Sequence, residues 1–206
     1  MSVVAFDQQV AAFVAAGNTV EGYPAKVSPS NAIFWNGTGH RLVFGEGVEL
    51  AGESFHFGSA PSSIVIGDRC RLVGKLIVTN DSHISVGNDT FFNKSSIIQA
   101  WEKTKIVIGS GCLFANVKIR TSDTHSIIDA NTRKRINPAK DVVIGDNVWL
   151  ADDVDILKGT VIGNGSIIGS RALVSSIIPE NSLAVGVPAR VVKTGVTWDK
   201  RILPID

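Results

Sequence analysis

The sequence predicts an all-β solenoid, an elongated stack of short parallel strands wound around a narrow core. The main observation is an aliphatic residue at every sixth position of residues 144–175, a period that fits neither a helix nor a long strand. The second is a small or β-branched residue four places after five of these aliphatic residues. A strand followed by a tight corner, repeated, produces both features. The aliphatic positions are Ile144, Leu150, Ile156, Ile162, Ile168 and Val174, and the small positions are Val148, Val154, Thr160, Ser166 and Ala172.

The composition is that of one globular domain. The chain has 206 residues, of which 44% are hydrophobic and 19% charged, and its net charge is +1. Because there is no basic excess, extended binding to nucleic acid is not expected. No apolar run approaches the roughly 20 residues that span a bilayer, and the amino terminus lacks a basic segment. Neither membrane insertion nor a secretion signal is therefore expected.

Both cysteines occupy repeat positions that favour a small inward side chain. Cys70 follows Ile66 by four residues, and Cys112 follows Ile108 in the same way. Free thiols buried in a core are typical of proteins in a reducing compartment. A cytoplasmic protein is predicted.

Residues 1–43 are predicted to form a helix and a capping segment. Apolar residues recur at three- and four-residue spacing behind Ser2, a candidate helix cap, and the run stops at Gly17. Because the terminal turn of a solenoid must be covered, the helix is expected to pack on its open end. The apolar residues of this helix are Val3, Phe6, Val10, Phe13 and Val14.

The solenoid is predicted over residues 44–178, followed by a C-terminal turn and tail over residues 179–206. The six-residue repeat is irregular in the early turns. The position expected after Leu50 is His56, so a shift of one residue is expected to put either Phe55 or Phe57 in the inward place. The repeat breaks over residues 121–141, which we call the excursion. A long polar insertion on a rigid array is a usual place for function, since the array fixes its base and its tip can cover a ligand.

Four motifs give the chain its family resemblance. It resembles the left-handed β-helix hexapeptide-repeat acyltransferases, and in particular their sugar and capsular-polysaccharide O-acetyltransferase branch, over roughly residues 44–193. The order and spacing of the motifs are more specific than any one of them. The motifs are Val86-Gly-Asn-Asp-Thr-Phe-Phe-Asn93, Ile108-Gly-Ser-Gly-Cys112 through His125, Ile144-Gly-Asp-Asn-Val-Trp149, and Ile178-Pro-Glu-Asn181 through Arg190.

This resemblance implies a homotrimer that binds acetyl-CoA between neighbouring solenoids, with no metal. His125 matches the family's catalytic histidine, and a base of near-neutral pKa suits removal of a hydroxyl proton during acetyl transfer. Asp123, two residues earlier in an extended segment, projects to the same face and is a candidate to steady the imidazole or position the acceptor. A backbone carbonyl is an equal candidate for orienting the ring. The other histidines, His40, His56 and His83, are expected to have surface or packing roles.

Two further candidates follow from the resemblance. Trp149 should point outward, because Leu150 points inward, and it is a candidate for contact with acetyl-CoA and the tetrahedral oxyanion; trimer packing is the alternative. Asn93 matches an active-site asparagine that a neighbouring subunit presents, although a turn asparagine is an equal interpretation. The galactoside branch has an acceptor-binding aspartate where this chain has Ala100 and Trp101, so a larger glycan is the favoured acceptor.

The last turns resemble the segment that holds the cofactor. Arg171, Arg190 and Lys193 would supply charge for the phosphates, and Ala151 and Gly169 would permit close approach of the backbone to the pantetheine arm. A solvated basic edge is the alternative for these cations.

The sequence therefore predicts an acetyl-CoA-dependent O-acetyltransferase acting on a sugar hydroxyl of a surface polysaccharide, of the capsular class that includes sialic-acid-containing polymers, or of its precursor. An N-acetyltransferase of a nucleotide-linked amino sugar is the nearest alternative. A β-helix carbonic anhydrase is disfavoured because three histidine ligands are missing from the late turns. A non-catalytic scaffold is disfavoured because it would not need His125 or Trp149.

Overall fold

The computed structural model describes residues 5–205 and contains a parallel β-solenoid of about seven turns with one helix. The predicted solenoid is confirmed. Strands of successive turns stack in register and form three faces, which the chain visits in the order face 1, face 2, face 3. Face 1 consists of β1 (Thr19–Glu21), β4 (Arg41–Phe44), β6 (Ser63–Ile66), β8 (His83–Val86), β11 (Lys105–Ile108), β14 (Val142–Ile144), β17 (Val161–Ile162) and β20 (Ile177–Ile178).

Faces 2 and 3 are joined in the early turns by two long strands that contribute to both. Face 2 consists of β2 (Lys26–Val27), β5 (Glu49–Phe57), β7 (Arg71–Val78), β9 (Phe91–Phe92), β12 (Leu113–Ala115), β15 (Trp149–Asp152), β18 (Ile167–Ile168), β21 (Ser182–Gly186) and β22 (Ala189–Thr194). Face 3 consists of β3 (Ala32–Trp35), the second halves of β5 and β7, β10 (Ser96–Ala100), β13 (Lys118–Arg120), β16 (Asp155–Ile156) and β19 (Leu173–Val174). Every pairing is parallel except the hairpin of β21 and β22.

The core is the inward column that the six-residue repeat predicts. All six aliphatic positions from Ile144 to Val174 are buried, and so are the five small positions at the corners. Cys70 and Cys112 are buried and free, as expected. From β15 to β20, each strand buries one aliphatic side chain, worth about 1.5–3 kcal/mol when fully buried, so these turns are stabilised one by one.

The early turns are wider and less regular. The predicted start of the solenoid is residue 44, but parallel pairing already begins at Thr19, whose partner is Arg41. A register shift between Leu50 and Glu53 lets both Phe55 and Phe57 point inward, where only one was expected. Glu53 itself is completely buried, and burial raises the pKa of its carboxyl well above the usual range. Large aromatic side chains and a bulge replace the strict repeat here.

The helix α1 (Phe6–Ala15) closes the first turn of the solenoid. Its buried side chains are Phe6 and Phe13, and the Phe13 ring lies 5.4 Å from Trp35 and 5.2 Å from Phe57 between ring centroids. Val14, expected among the apolar residues that face the core, is instead 47% exposed, because the buried face of the helix is narrower than the sequence spacing predicts. The proposed cap Ser2 and the first apolar residue Val3 lie outside the described residues.

The chain leaves the solenoid between β13 and β14. Because β13 ends at Arg120 and β14 begins at Val142, the segment between them is the predicted excursion of residues 121–141. After face 1 ends at β20, β21 and β22 extend face 2, and residues 195–205 return across it without regular strands. None of the helices in the described chain is long and apolar enough to cross a membrane.

Candidate active site

The excursion is a folded loop. Ile128 and Arg135 form an antiparallel bridge, the Ile136 amide donates to the Ile127 carbonyl at 2.8 Å, and the Asp129 amide donates to the Lys134 carbonyl at 2.9 Å. The two arms of the loop therefore lie side by side, with a turn at residues 129–134. At the base of the excursion, where both arms meet the solenoid, the Lys140 amide donates to the Thr121 carbonyl at 3.0 Å.

One buried side chain, Asn137, holds the arm that carries His125. Its Nδ2 donates to the His125 carbonyl at 2.9 Å, and its Oδ1 accepts from the Ile127 amide at 2.7 Å. Asn137 is only 7% exposed, so these hydrogen bonds are shielded from water. The backbone on both sides of Ser126 is thus fixed by a residue twelve positions after His125.

The Asp123 carboxylate belongs to the same network. Its Oδ2 accepts from Asn137 Nδ2 at 2.8 Å and from the Lys158 ammonium. These contacts, first that of Lys158 and then that of Asn137, lower the pKa of the Asp123 carboxyl. Within the described chain, no hydrogen bond joins this carboxylate to the His125 imidazole. The Asp123 carboxylate therefore ties the start of the excursion to Asn137 and Lys158.

A second set of contacts holds the other arm of the excursion against the corner between β10 and β11. The Arg135 guanidinium makes a bidentate ion pair with Glu102, at 2.5 and 3.0 Å, and the Ser122 hydroxyl donates to the same carboxylate. The Arg135 contact, followed by the Ser122 contact, lowers the pKa of the Glu102 carboxyl. Thr121, fully buried at the base, accepts from the Trp101 amide at 2.9 Å.

His125 stands on this anchored loop with its side chain exposed. The other three histidines have partners: His40 is buried and bonded to Asn36 and Ser62, His56 is stacked on Phe34, and His83 contacts the Ser63 hydroxyl at 2.8 Å. Of the four imidazoles, that of His125 alone makes no hydrogen bond, ion pair or ring contact among residues 5–205, and because its side chain is exposed it is accessible to a substrate.

Trp149 points outward, as alternation from Leu150 predicts, and is 38% exposed. It pairs with Ile167 in the next turn. It also has a partner that the sequence did not suggest: the ring of Trp198 in the C-terminal tail lies 5.9 Å away between centroids. Trp198 is itself held by its Nε1, which donates to the Asn147 carbonyl at 2.7 Å. The tail therefore borders the Trp149 side of face 2.

The candidate cofactor residues lie together on face 2. Leu150, Ile168 and Ala184 pair across three successive turns, and the next residue along each strand is Ala151, Gly169 and Val185. Arg190 pairs with Val185 in the terminal hairpin. A Cβ added to Gly169 would lie 2.8 Å from Val185 Cγ1, so the glycine is required for packing within the chain as well.

Cations border this apolar strip. Lys193 pairs with Leu183 at the last turn, and its side chain is exposed. Arg171, in the next corner, is 86% exposed at its side chain and lies 3.9 Å from an Asp153 carboxylate oxygen. Outward apolar groups with cations at one end match the chemistry of a pantetheine arm ending in phosphates.

The candidate catalytic residues occupy three different edges of the solenoid. His125 lies between β13 and β14, at the edge from face 3 to face 1, whereas Trp149 begins β15 at the edge from face 1 to face 2. Asn93 follows β9 at the edge from face 2 to face 3, where its side chain is exposed. A single chain therefore does not bring these three residues together, while it does bring Asp123 next to the His125 backbone.

Neither cysteine is available as a nucleophile. Burial raises the pKa of both thiols, Cys70 and Cys112, to about 11. Their Sγ atoms contact backbone carbonyls inside the solenoid, those of Gly87 and Gly145 respectively. A protonated, enclosed thiol cannot attack a thioester.

Comparison with known proteins places this architecture. Residues 141–176 match the family model described as "Bacterial transferase hexapeptide (six repeats)". The chain aligns over 90% of its length with the crystal structure of the polySia-specific acetyltransferase NeuO, at a TM-score of 0.81 and 28% identity, covering 83% of that chain. The repeat region of the chain is thus similar to that of bacterial hexapeptide transferases. The solenoid is a left-handed parallel β-helix like those of the acetyltransferase structures that it resembles.

Two curated relatives extend the comparison. A polysialic acid O-acetyltransferase of Escherichia coli O1:K1 / APEC is 37% identical over 129 residues, 62% of this chain and 42% of that protein. A polysialic acid O-acetyltransferase of Neisseria meningitidis is 28% identical over 144 residues, 69% of this chain and 66% of that protein. The chain thus spans less than two thirds of either relative.

Three residues that organise the excursion were not predicted from the sequence, namely Asn137, Glu102 and Lys158. Asn137 directly precedes Pro138, but its polar surroundings make it resemble any loop asparagine. Glu102 and Lys158 lie in corners of the solenoid far from the excursion in sequence. The only available signal for Glu102 was its charge complementarity to Arg135.

Proposed function

We propose that this protein transfers an acetyl group from acetyl-CoA to a hydroxyl of an acidic surface polysaccharide, of the capsular class that includes sialic-acid-containing polymers, or of its precursor. The observation that carries the proposal is the exposed imidazole of His125, mounted on a loop whose backbone Asn137 fixes. The names of the two curated relatives support the O-acetyl chemistry and an acidic polymer as acceptor.

In the proposed reaction, His125 acts as a general base. One imidazole nitrogen takes the proton of the acceptor hydroxyl while its oxygen attacks the thioester carbonyl, forming the new C–O bond and a tetrahedral oxyanion. Collapse of the oxyanion breaks the C–S bond, and the imidazolium returns its proton to the departing CoA sulfur. Direct transfer fits the inert state of Cys70 and Cys112, since an acyl-enzyme needs an accessible thiolate.

The donor is proposed to bind on face 2. Trp149, Ala151 and Gly169 would border the pantetheine arm and the reacting thioester, while the indole N–H of Trp149 or a backbone amide would stabilise the oxyanion. The cations Arg171, Arg190 and Lys193 would bind the phosphates. The contact between Trp149 and Trp198 places the tail beside this site, so acetyl-CoA would bind alongside the tail or displace it.

The proposed assembly is a homotrimer with its active sites between subunits. The separate edges of His125, Trp149 and Asn93 support it, because only a neighbouring copy can complete the set. Exposed aliphatic residues at paired positions of face 1 supply a surface for self-association. These residues are Val107, Val143, Val161 and Ile177.

Two remaining elements are proposals from the sequence. The free thiols of Cys70 and Cys112 support a cytoplasmic location. The predicted division serves as a functional partition with one shifted boundary: the helix caps a solenoid whose pairing begins at Thr19 and which carries the proposed catalytic loop, and residues 179–206 form the C-terminal turn and tail.

The test is a transfer assay. The protein is incubated with acetyl-CoA and either neutral glycans, acidic polysaccharides or nucleotide-linked amino sugars, while thiol release is followed and the products are examined by NMR. We expect release only with hydroxyl acceptors, and O-acetyl signals on the acidic polymer. Turnover confined to the nucleotide-linked amino sugars would establish N-acetylation in its place and contradict the proposal.

A further inference from the structure

The outer surface of face 3, from β3 to β13, carries aromatic, polar and cationic side chains. Backbone pairing puts its outward residues in two straight columns, one running from Phe34 to Arg120 and the other from Ala32 to Lys118. None of these outward positions is a carboxylate. The first column is Phe34, His56, Ile77, Gln99 and Arg120, and the second is Ala32, Ser54, Lys75, Ile97 and Lys118.

The cations of this surface form no ion pairs within the described chain. Lys75, Lys118 and Arg120 are exposed, and none of them forms a salt bridge with any residue between 5 and 205. The cationic part of face 3 ends at the next turn, where Asp155 pairs with Lys118 in the strand register. Like charges held on one rigid sheet repel each other, so an anion that binds there relieves this repulsion.

The far end of the surface is an aromatic groove of ≈ 600 Å³. Phe34 is 53% exposed, and its ring is stacked on the His56 imidazole, with centroids 4.7 Å apart and planes at 21°. Trp35, Gly58 and Thr79 line the rest of the groove. Burial, followed by the charge of Lys75, lowers the pKa of His56, so the stacked pair is uncharged at neutral pH. A flat, half-exposed aromatic pair suits the apolar face of a pyranose ring.

The geometry connects this groove to the catalytic loop. Four steps between neighbouring strands separate Phe34 from Arg120, which at about 4.8 Å per step gives about 19 Å. Arg120 is the last residue of β13 and directly precedes the excursion that carries His125. A ligand lying along the columns would therefore reach the base of the loop.

We propose that face 3 is a remote binding surface for the acidic polysaccharide acceptor, held by ionic contacts to Lys75, Lys118 and Arg120 and by sugar stacking on Phe34 and His56. The proposal rests on the proposed function and adds to it where the polymer lies before and after transfer. A chain retained there has a raised effective concentration at His125, so repeated transfer to one polymer is favoured over transfer to short acceptors.

Charge complementarity selects this occupant. An acidic polymer brings one carboxylate per sugar along a line, which matches three cations spaced along a rigid strip. A second copy of the chain is a poorer partner, because the exposed aliphatic side chains at paired positions, which would support self-association, lie on face 1.

The experiment compares acceptors that differ only in length. The double variant K75Q/K118Q, and separately Phe34→Ala, are assayed with an acidic polysaccharide and with its short oligosaccharide. We expect kcat/KM for the polymer to fall about tenfold in the double variant, with the short acceptor and the KM for acetyl-CoA unchanged. The matched control is K26Q/R41Q, which removes two cations from the early turns of the other two faces.

Several outcomes would overturn the inference: an unchanged polymer rate, an equal loss for the short acceptor, the same loss in K26Q/R41Q, or a smaller assembly of K75Q/K118Q in light scattering. The last result would mean that face 3 packs against another copy. Polymer binding measured by calorimetry without acetyl-CoA separates this inference from the proposed function. If the wild-type protein transfers no acetyl group yet binds the polymer, and K75Q/K118Q does not bind it, the function fails and the surface stands.

Discussion

The late turns of the solenoid, residues 142–178, and the excursion, residues 121–141, are neighbours in sequence but are held in place by different interactions. In the late turns, the five strands from β16 to β20 have only two residues each, and a column of buried aliphatic side chains supplies the cohesion. The excursion buries almost no apolar side chain; Ile127 and Ile136 are more than half exposed. Hydrogen bonds of Asn137 and ion pairs of Arg135 and Lys158 fix it instead.

This difference suggests how stability and function are divided. Removing core volume from the late turns should lower the free energy of unfolding, whereas removing a polar contact from the excursion should change catalysis and leave unfolding nearly unaltered. Local stability in proteins varies in this way, and loops that bind ligands belong to its lower end.

The largest expected effect is on the excursion alone. His125→Ala should lower kcat by about 10²–10⁴-fold, the usual contribution of a general base, without changing the melting temperature, because the imidazole contacts no other described residue. Initial rates with saturating acetyl-CoA, together with calorimetry, provide the measurement. His83→Ala, which removes an imidazole from face 1, is the control and should keep its activity. Full turnover by His125→Ala would assign the base to another group.

The second prediction compares one deletion in the two regions. Ile156→Ala should cost about 2–5 kcal/mol of unfolding free energy, because Ile156 is fully buried between Ile119 and Val174 in the strand register. Ile136→Ala removes the same atoms from an exposed position of the excursion and should lower the unfolding free energy by about 0.5 kcal/mol at most. Urea denaturation of both variants measures the difference. Equal losses would show that the excursion is part of the cooperative core.

The smallest effect tests the anchor of the loop. Asn137→Ala removes the hydrogen bonds to the His125 carbonyl and the Ile127 amide, each shielded from water. Losing about 1–3 kcal/mol of loop order should lower kcat/KM about 5- to 150-fold at unchanged melting temperature. Hydrogen exchange should show faster exchange at the Ile127 amide but not in β14.

Asn131→Ala is the matched control for this variant, since Asn131 is an exposed residue of the same loop. If Asn137→Ala retained full activity while the Ile127 amide lost its protection, the order of the loop would be irrelevant to turnover. Activity loss without any change in exchange would instead indicate that Asn137 contacts the substrate.

Much of the fold was predictable from the sequence. The six-residue period identified the inward column from Ile144 to Val174, the buried thiols and the outward direction of Trp149, because each depends on strand alternation and on a repeat that recurs many times. The limits of the excursion were also predictable, since the period stops and restarts there. The early turns were less predictable: the register shift in β5 has no periodic signal, and the first pairing at Thr19 precedes the aliphatic repeat.

The site was predictable only in part. A family resemblance singled out His125, Trp149, Asn93 and the cations of face 2, and their roles stay predictions. The network around Asp123 was not predictable, because it joins residues that are far apart in sequence and carry no repeat.

By itself, then, the sequence determined a solenoid with one interruption, since a local period repeated along the chain specifies its own core. Only the tertiary structure decided three matters: that Asn137 and Lys158 immobilise the interruption, that Trp198 packs beside Trp149, and that Phe34 aligns with Arg120 along face 3. Each depends on contacts made when distant segments are stacked in register. Such contacts follow from the winding of the whole chain, and no local pattern encodes them.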